Sequence, residues 1–157
     1  MKKKSQRRFA REKVLQVLYA FQINGEGLSV HTDAILADIS AETDRAFARK
    51  LINHVVANRT ELDKKIEEKV ANWEVERIAL IDKLLLKMGI AEMMYFEDIP
   101  PKVSINEVID ISKEYSSLNS GKFINGILDA ILSELKNEGK LKKIGRGLID
   151  KNIADEE

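Results

Sequence analysis

Anion chemistry is what this sequence offers most plainly, and the residues that could do it lie in two places. The first is the start of the chain. Within residues 1–13, Lys2, Lys3, Lys4, Arg7, Arg8, Arg11 and Lys13 stand against a single acid, Glu12, the kind of local basic block that seeks phosphates. Read as a helix, Arg8, Arg11, Leu15, Tyr19 and Gln22 recur at steps of three, four, four and three, so two arginines, an aromatic and an amide share one ridge. Arginines in the first turns oppose the helix macrodipole, whose N-terminal end favours acids, so helix stability does not account for them. An external anion would; a solvated basic tail beside a half-buried Tyr19 is the alternative.

The second place is the stretch PPKVSINEVIDISKEYSSLNSGKFINGILD, residues 100–129. Pro100 and Pro101 interrupt any preceding helix, and Ser104 followed three residues later by Glu107 reads as a capping box, which predicts a helix start near Val103–Ile105. That helix is expected to stop in the polar run Ser116, Ser117, Leu118, Asn119, Ser120, and the next to begin with Asn119 or Ser120 as its cap. Phe123, Ile127, Ile131 and Leu135, at steps of four, are its apolar line. Free backbone N–H groups beside Gly121 and Lys122 suit a phosphate, although every capped turn between packed helices has such an end.

Catalytic and metal chemistry find no comparable footing. The chain has no cysteine, which removes disulfides, thiolate metal sites and cysteine nucleophiles together. It carries no glycine-rich phosphate loop and no nucleophile elbow. The two histidines, His31 and His54, lack partners at zinc-site spacing. No catalytic residue, metal or cofactor is therefore expected.

The elements that must position the two clusters are helical. Ala10, Val14, Val17, Leu18 and Phe21 share a face of a helix over residues 5–24, which Gly25 and Gly27 end. A short helix within 28–40 and a longer one over 43–58 follow; residues 60–70 either continue it or start again. Residues 71–76, with the only tryptophan, Trp73, interrupt the pattern. Residues 77–96 form a helix apolar on most sides and hence central. Beyond Asn137 the chain alternates in charge, holds Gly139, Gly145 and Gly147, and reads as a tail with a weak helix around 141–149. At 157 residues and 44% hydrophobic, with no strand pattern, this gives an all-α protein of six to seven helices in two packed bundles. The expected domain is 1–137, with lobes 5–70 and 74–137, followed by a flexible or weakly helical tail over 138–157. No apolar run approaches the roughly 20 residues that span a bilayer, so the location expected is cytoplasmic, with no membrane partner.

Three motifs, RRFAREKVLQVLYAFQ, NWEVERIALIDKLLLKMGIAEM and the 100–129 stretch, resemble the transcription antitermination factor NusB family from about Gln6 to Leu132. The resemblance implies two helical bundles that bind the boxA segment of single-stranded RNA. It also implies two protein partners: the small-subunit ribosomal protein that serves as NusE, and the antitermination complex with RNA polymerase. It assigns RNA contacts to Arg7, Arg8, Arg11 and Tyr19, and to Asn119, Ser120, Lys122 and Phe123. It places Asp82 at the ribosomal-protein contact, as an exposed acid. Many relatives have an acid where Asn119 stands. The RNA-contacting regions, far apart in sequence, are expected to serve one RNA. Two other readings compete: an accessory RNA-binding domain or subunit of an rRNA-modifying enzyme, and a protein-only scaffold whose basic end is a solubility tail.

Overall fold

The computed structural model describes residues 5–70 and 77–149. Lys2, Lys3 and Lys4, the Trp73 segment and the last residues of the expected tail lie outside them. Among the described residues there are seven α-helices and no strand, in two compact units that divide between Ala57 and Asn58. No described helix is long and apolar enough to cross a membrane.

The first unit holds α1 (Gln6–Asn24), α2 (Leu28–Leu36) and α3 (Glu42–Ala57), with α1 packed on both others. Ser5 starts α1: its hydroxyl accepts the Arg8 N–H at 3.0 Å, satisfying one of the donors a helix start leaves open. Gly25 stops it in the left-handed conformation, φ 75°, with its N–H on the Phe21 carbonyl. The expected apolar face is the buried one, with Ala10, Val14, Val17 and Leu18 closed against Phe47, Leu51, Ile52 and Val55 of α3. Arg45 closes the α2–α3 connection, donating to the Ile39 and Ser40 carbonyls at 2.6 and 2.9 Å.

The second unit holds α4 (Arg59–Lys69), α5 (Leu80–Tyr95), α6 (Pro101–Tyr115), α7 (Ser120–Asn137) and a 3₁₀ turn over Gly145–Leu148. Helix α5 is its centre and touches α4, α6 and α7. Gly89 lets α7 come close: a Cβ there would stand 2.9 Å from Leu128 Cδ1. A division at 70–74 would have put α4 in the first unit. Instead Leu62 and Ile66 of α4 are fully buried, and α4 packs on α5 and α7. Those two side chains contribute roughly 1.5–3 kcal/mol each. The ion pairs Lys69–Glu134 and Lys87–Asp63, both at 2.8 Å, follow that packing.

Two helix starts differ from expectation. Helix α5 begins at Leu80 rather than near Arg77. Helix α6 begins at Pro101, whose fixed φ suits the first helical position, so Ser104 lies inside the helix and caps nothing. Ser104 is buried, and its hydroxyl donates to Glu92 Oε1 at 3.0 Å. The expected tail also differs as far as it is described. Gly139, φ 68°, turns the chain out of α7, and Lys140 N–H bonds back to the Leu135 carbonyl. Lys143 Nζ then donates to the Glu92 and Phe96 carbonyls at 3.1 and 2.6 Å, and Ile144 N–H to the Glu97 carbonyl. Residues 140–149 are thus a strap across the end of α5, with its turn at 145–148 where a weak helix was expected.

Candidate functional site

At the start of α1 the arginines find partners inside the unit. Arg7 Nε donates to Asp44 Oδ1 of α3 at 3.0 Å, and its guanidinium stands 4.3 Å from the centre of the Phe47 ring. Arg11 lies 5.1 Å from the same ring and is only 2% exposed. An acid and an aromatic from α3 therefore answer the unfavourable dipole that the sequence left unexplained. This corrects the external-anion reading for Arg11, which is too deep to meet a phosphate, and weakens it for Arg7. Arg8 is half-buried. The ridge surfaces only further along, where Tyr19 is 43% exposed and Gln22 is open to solvent, with Ile23 beside them.

At the start of α7, neither expected cap acts as one. Asn119 is exposed and makes no side-chain cap bond. Ser120, the first helical residue, is buried and turns its hydroxyl to Asp82 Oδ2 of α5 at 2.8 Å. A hydroxyl has one proton, so the Ser116 and Ser117 hydroxyls, each 3.0 Å away, donate to Ser120 rather than accept from it. Three serines thus end on one carboxylate, which stands in the first turn of α5 at the positive end of that helix.

Asp82 is accordingly not the exposed acid that the sequence suggested. It is 7% exposed, and its second oxygen, Oδ1, is buried with no hydrogen-bond partner. It lines an open cleft of about 410 Å³ together with the apolar Ile78, Ala79 and Phe123 and with Arg77, Ser117, Asn119 and Ser120. Phe123 is half-exposed and Lys122 exposed. Gly121 serves packing: a Cβ there would meet Ile109 Cγ2 of α6 at 3.3 Å. With an acid already facing Ser120, the expectation that this helix start holds a phosphate gives way to a site that lacks a hydrogen-bond donor.

The fold thus brings Asn119, Ser120 and Phe123 together and adds Asp82, assigned from sequence to a different partner. It also adds Arg77, Ile78 and Ala79, which sequence reading missed. No local pattern marks them, because the pairing joins residues 38 apart. Among the described residues no group of three or more His, Cys, Asp or Glu could hold a metal ion.

Comparison with known proteins is consistent across sequence and structure. The model of the NusB family matches residues 8–133. The chain is 46% identical over 149 residues to the transcription antitermination protein NusB of Chloroherpeton thalassium, covering 92% of this chain and 69% of that one. It is 42% identical over 154 residues to the NusB of Salinibacter ruber, covering 97% and 96%. Among solved structures it is similar to a crystal structure of the antitermination factors NusB and NusE in complex with dsRNA. There the TM-score is 0.75 at 26% identity, over 82% of this chain and 97% of that one.

Proposed function

Because the chain belongs to the NusB family, we propose that it is a transcription antitermination factor that binds boxA-like single-stranded RNA together with the ribosomal protein serving as NusE, and so joins the RNA polymerase antitermination complex. The observation that carries this reading is the similarity to a NusB solved with NusE and RNA, over 82% of this chain. The cleft at the starts of α5 and α7 adds a local reason. Single-stranded RNA is recognised through splayed bases, aromatic faces and phosphate contacts; Phe123 and Asn119 line the cleft, and Lys122, between them in sequence, is exposed. In the first unit the surface candidates are Tyr19 and Arg8, with Arg7 engaged by Asp44 and Arg11 structural. Asp82 contributes to the ribosomal-protein contact in this reading only through the cleft, since little of it reaches the surface.

A filter-binding titration against a boxA-like RNA, at several salt concentrations and with and without the ribosomal protein, tests the proposal. The protein alone is expected to bind weakly, because a small adaptor offers few base and phosphate contacts, and the partner to tighten binding. Equal affinity with and without the partner at physiological salt would count against it. No RNA binding in either case would favour the protein-only scaffold.

A further inference from the structure

We propose that Lys143 is an acylation site, that it takes its acyl group from a small acyl phosphate, and that the modification unlatches the strap from the end of α5. The inference is independent of the RNA-binding reading above.

The placement of the amine carries it. Lys143 Nζ donates to the carbonyls of Glu92, in the last turn of α5, and Phe96, just after it, at 3.1 and 2.6 Å. Helix carbonyls run short of donors there, and a lysine supplies them. Those two bonds use two hydrogens. A neutral amine has two, so Lys143 can give up its third proton, keep both bonds and hold a lone pair on nitrogen. Its stem is fixed as well: a Cβ on Gly147 would stand 3.2 Å from Lys143 Cδ, and the next residue is tied down by the Ile144 N–H on the Glu97 carbonyl.

Burial supports the same reading, since it pushes this amine down to about 8 against the pull of Glu92 of α5 and of Glu97 and Asp98 beyond it. A desolvated lysine of this kind is a nucleophile near neutral pH. Lys69 and Lys140 are shifted the other way by their ion pairs with Glu134 and Glu138, which keep them charged and unreactive.

The electrophile must be small, because the amine is half-buried, and an acyl phosphate is both small and activated. Nζ attacks the acyl carbon and an N–C bond forms. The C–O bond to the phosphoryl group breaks, inorganic phosphate leaves with the bonding pair, and the surplus proton on nitrogen passes to water. The product amide keeps one N–H, so one of the two carbonyls at the end of α5 loses its donor. The new acyl oxygen is also an acceptor brought against acceptors. The strap is then held less firmly at its middle.

Treating the full chain with acetyl phosphate and locating acetyl-lysine by peptide mass spectrometry reads the site. At about pH 7.5, Lys143 is expected to react roughly tenfold faster than the exposed Lys142 beside it: relative to an ordinary lysine its free-base fraction is about two orders of magnitude larger, and half-burial with weaker intrinsic nucleophilicity offsets part of that. In urea, where the strap is unfolded, the two are expected to react alike. Hydrogen exchange followed by mass separates acetylated from unmodified strap peptides in one sample. The acetylated peptide is expected to exchange roughly fivefold faster, the size of one lost hydrogen bond, while peptides of α5 keep their protection. The inference is overturned if Lys142 is acetylated as fast as Lys143, if the preference survives in urea, or if acetylated and unmodified strap peptides exchange at the same rate.

Discussion

The starts of α1 and α7 look alike in sequence and differ in the fold. Each is a helix N-terminus crowded with polar or basic residues, and each reads as a place for an external anion. In α1 the cations turn inward, Arg7 onto Asp44 and both Arg7 and Arg11 onto the Phe47 face. In α7 the anion is internal, because Asp82 of α5 takes the Ser120 hydroxyl. Both helix starts are thus neutralised from within. What stays exposed on the α1 ridge lies near the far end of that helix, an aromatic and an amide, Tyr19 and Gln22; at the start of α7 a single buried oxygen is left without a donor. Charge counted along a chain is therefore a poor guide to charge presented on a surface, since folding can supply the counter-charge itself.

The contrast can be broken by removing the internal partner on either side. Arg11→Ala is expected to have the largest effect, lowering stability by about 2–4 kcal/mol in urea denaturation, because it deletes a desolvated cation over a ring together with its buried stem. If Arg11 served RNA alone, the midpoint would stay and only RNA affinity would fall. Asp82→Ala comes next, at about 1–3 kcal/mol, since it leaves the buried Ser120 hydroxyl without its acceptor. A double-mutant cycle with Ser120→Ala is expected to show positive coupling, and strictly additive losses would mean that the 2.8 Å bond contributes nothing. The caps sharpen the comparison further. Ser5→Ala is expected to cost about 1 kcal/mol and Asn119→Ala less than about 0.5 kcal/mol, because only Ser5 holds a backbone N–H of its helix.

The smallest effect lies away from both helix starts. Burial pushes the Lys143 ammonium down to about 8, against the pull of Glu92, Asp98 and Glu97. A lysine whose value is lowered by folding destabilises the fold while it is charged, and that cost is relieved as pH rises through about 8 towards the unfolded value near 10.5. Stability of wild type relative to Lys143→Met is thus expected to rise shallowly between pH 8 and 10, shallowly because the amine is only half-buried. A relative fall over that range, in thermal melts at matched ionic strength, would reverse the sign of the argument.

How far sequence reaches is clear from particular residues. The α1 face, its Gly25 stop and the central place of α5 were legible because apolar periodicity and a left-handed glycine act locally. Burial of Arg11 was legible too, as it stands four and seven residues before Leu15 and Leu18, both buried, but its charge argued louder than its position. The Ser104–Glu107 capping box misled because Pro101 had already set the helix start three residues earlier. The Asp82–Ser120 bond and the strap could not be read at all, since both depend on backbone brought together across dozens of residues. The site was therefore half visible: its α7 side appears in the motif, while its α5 side appears only in the fold.

The strap changes what the end of the chain reports about its motions. Ile144 shows 58% of its surface to water, yet its amide is bonded to the Glu97 carbonyl. In amide hydrogen exchange, Ile144 would therefore behave as part of the second unit and exchange slowly, although its side chain looks like that of a loop. Gly147 keeps the latch shut, because a side chain there would collide with the same Glu97 carbonyl. Gly147→Ala would turn the Ile144 amide into a fast exchanger while the amides of α5 keep their protection, so one proton at the edge of the molecule would time the opening of its last turn.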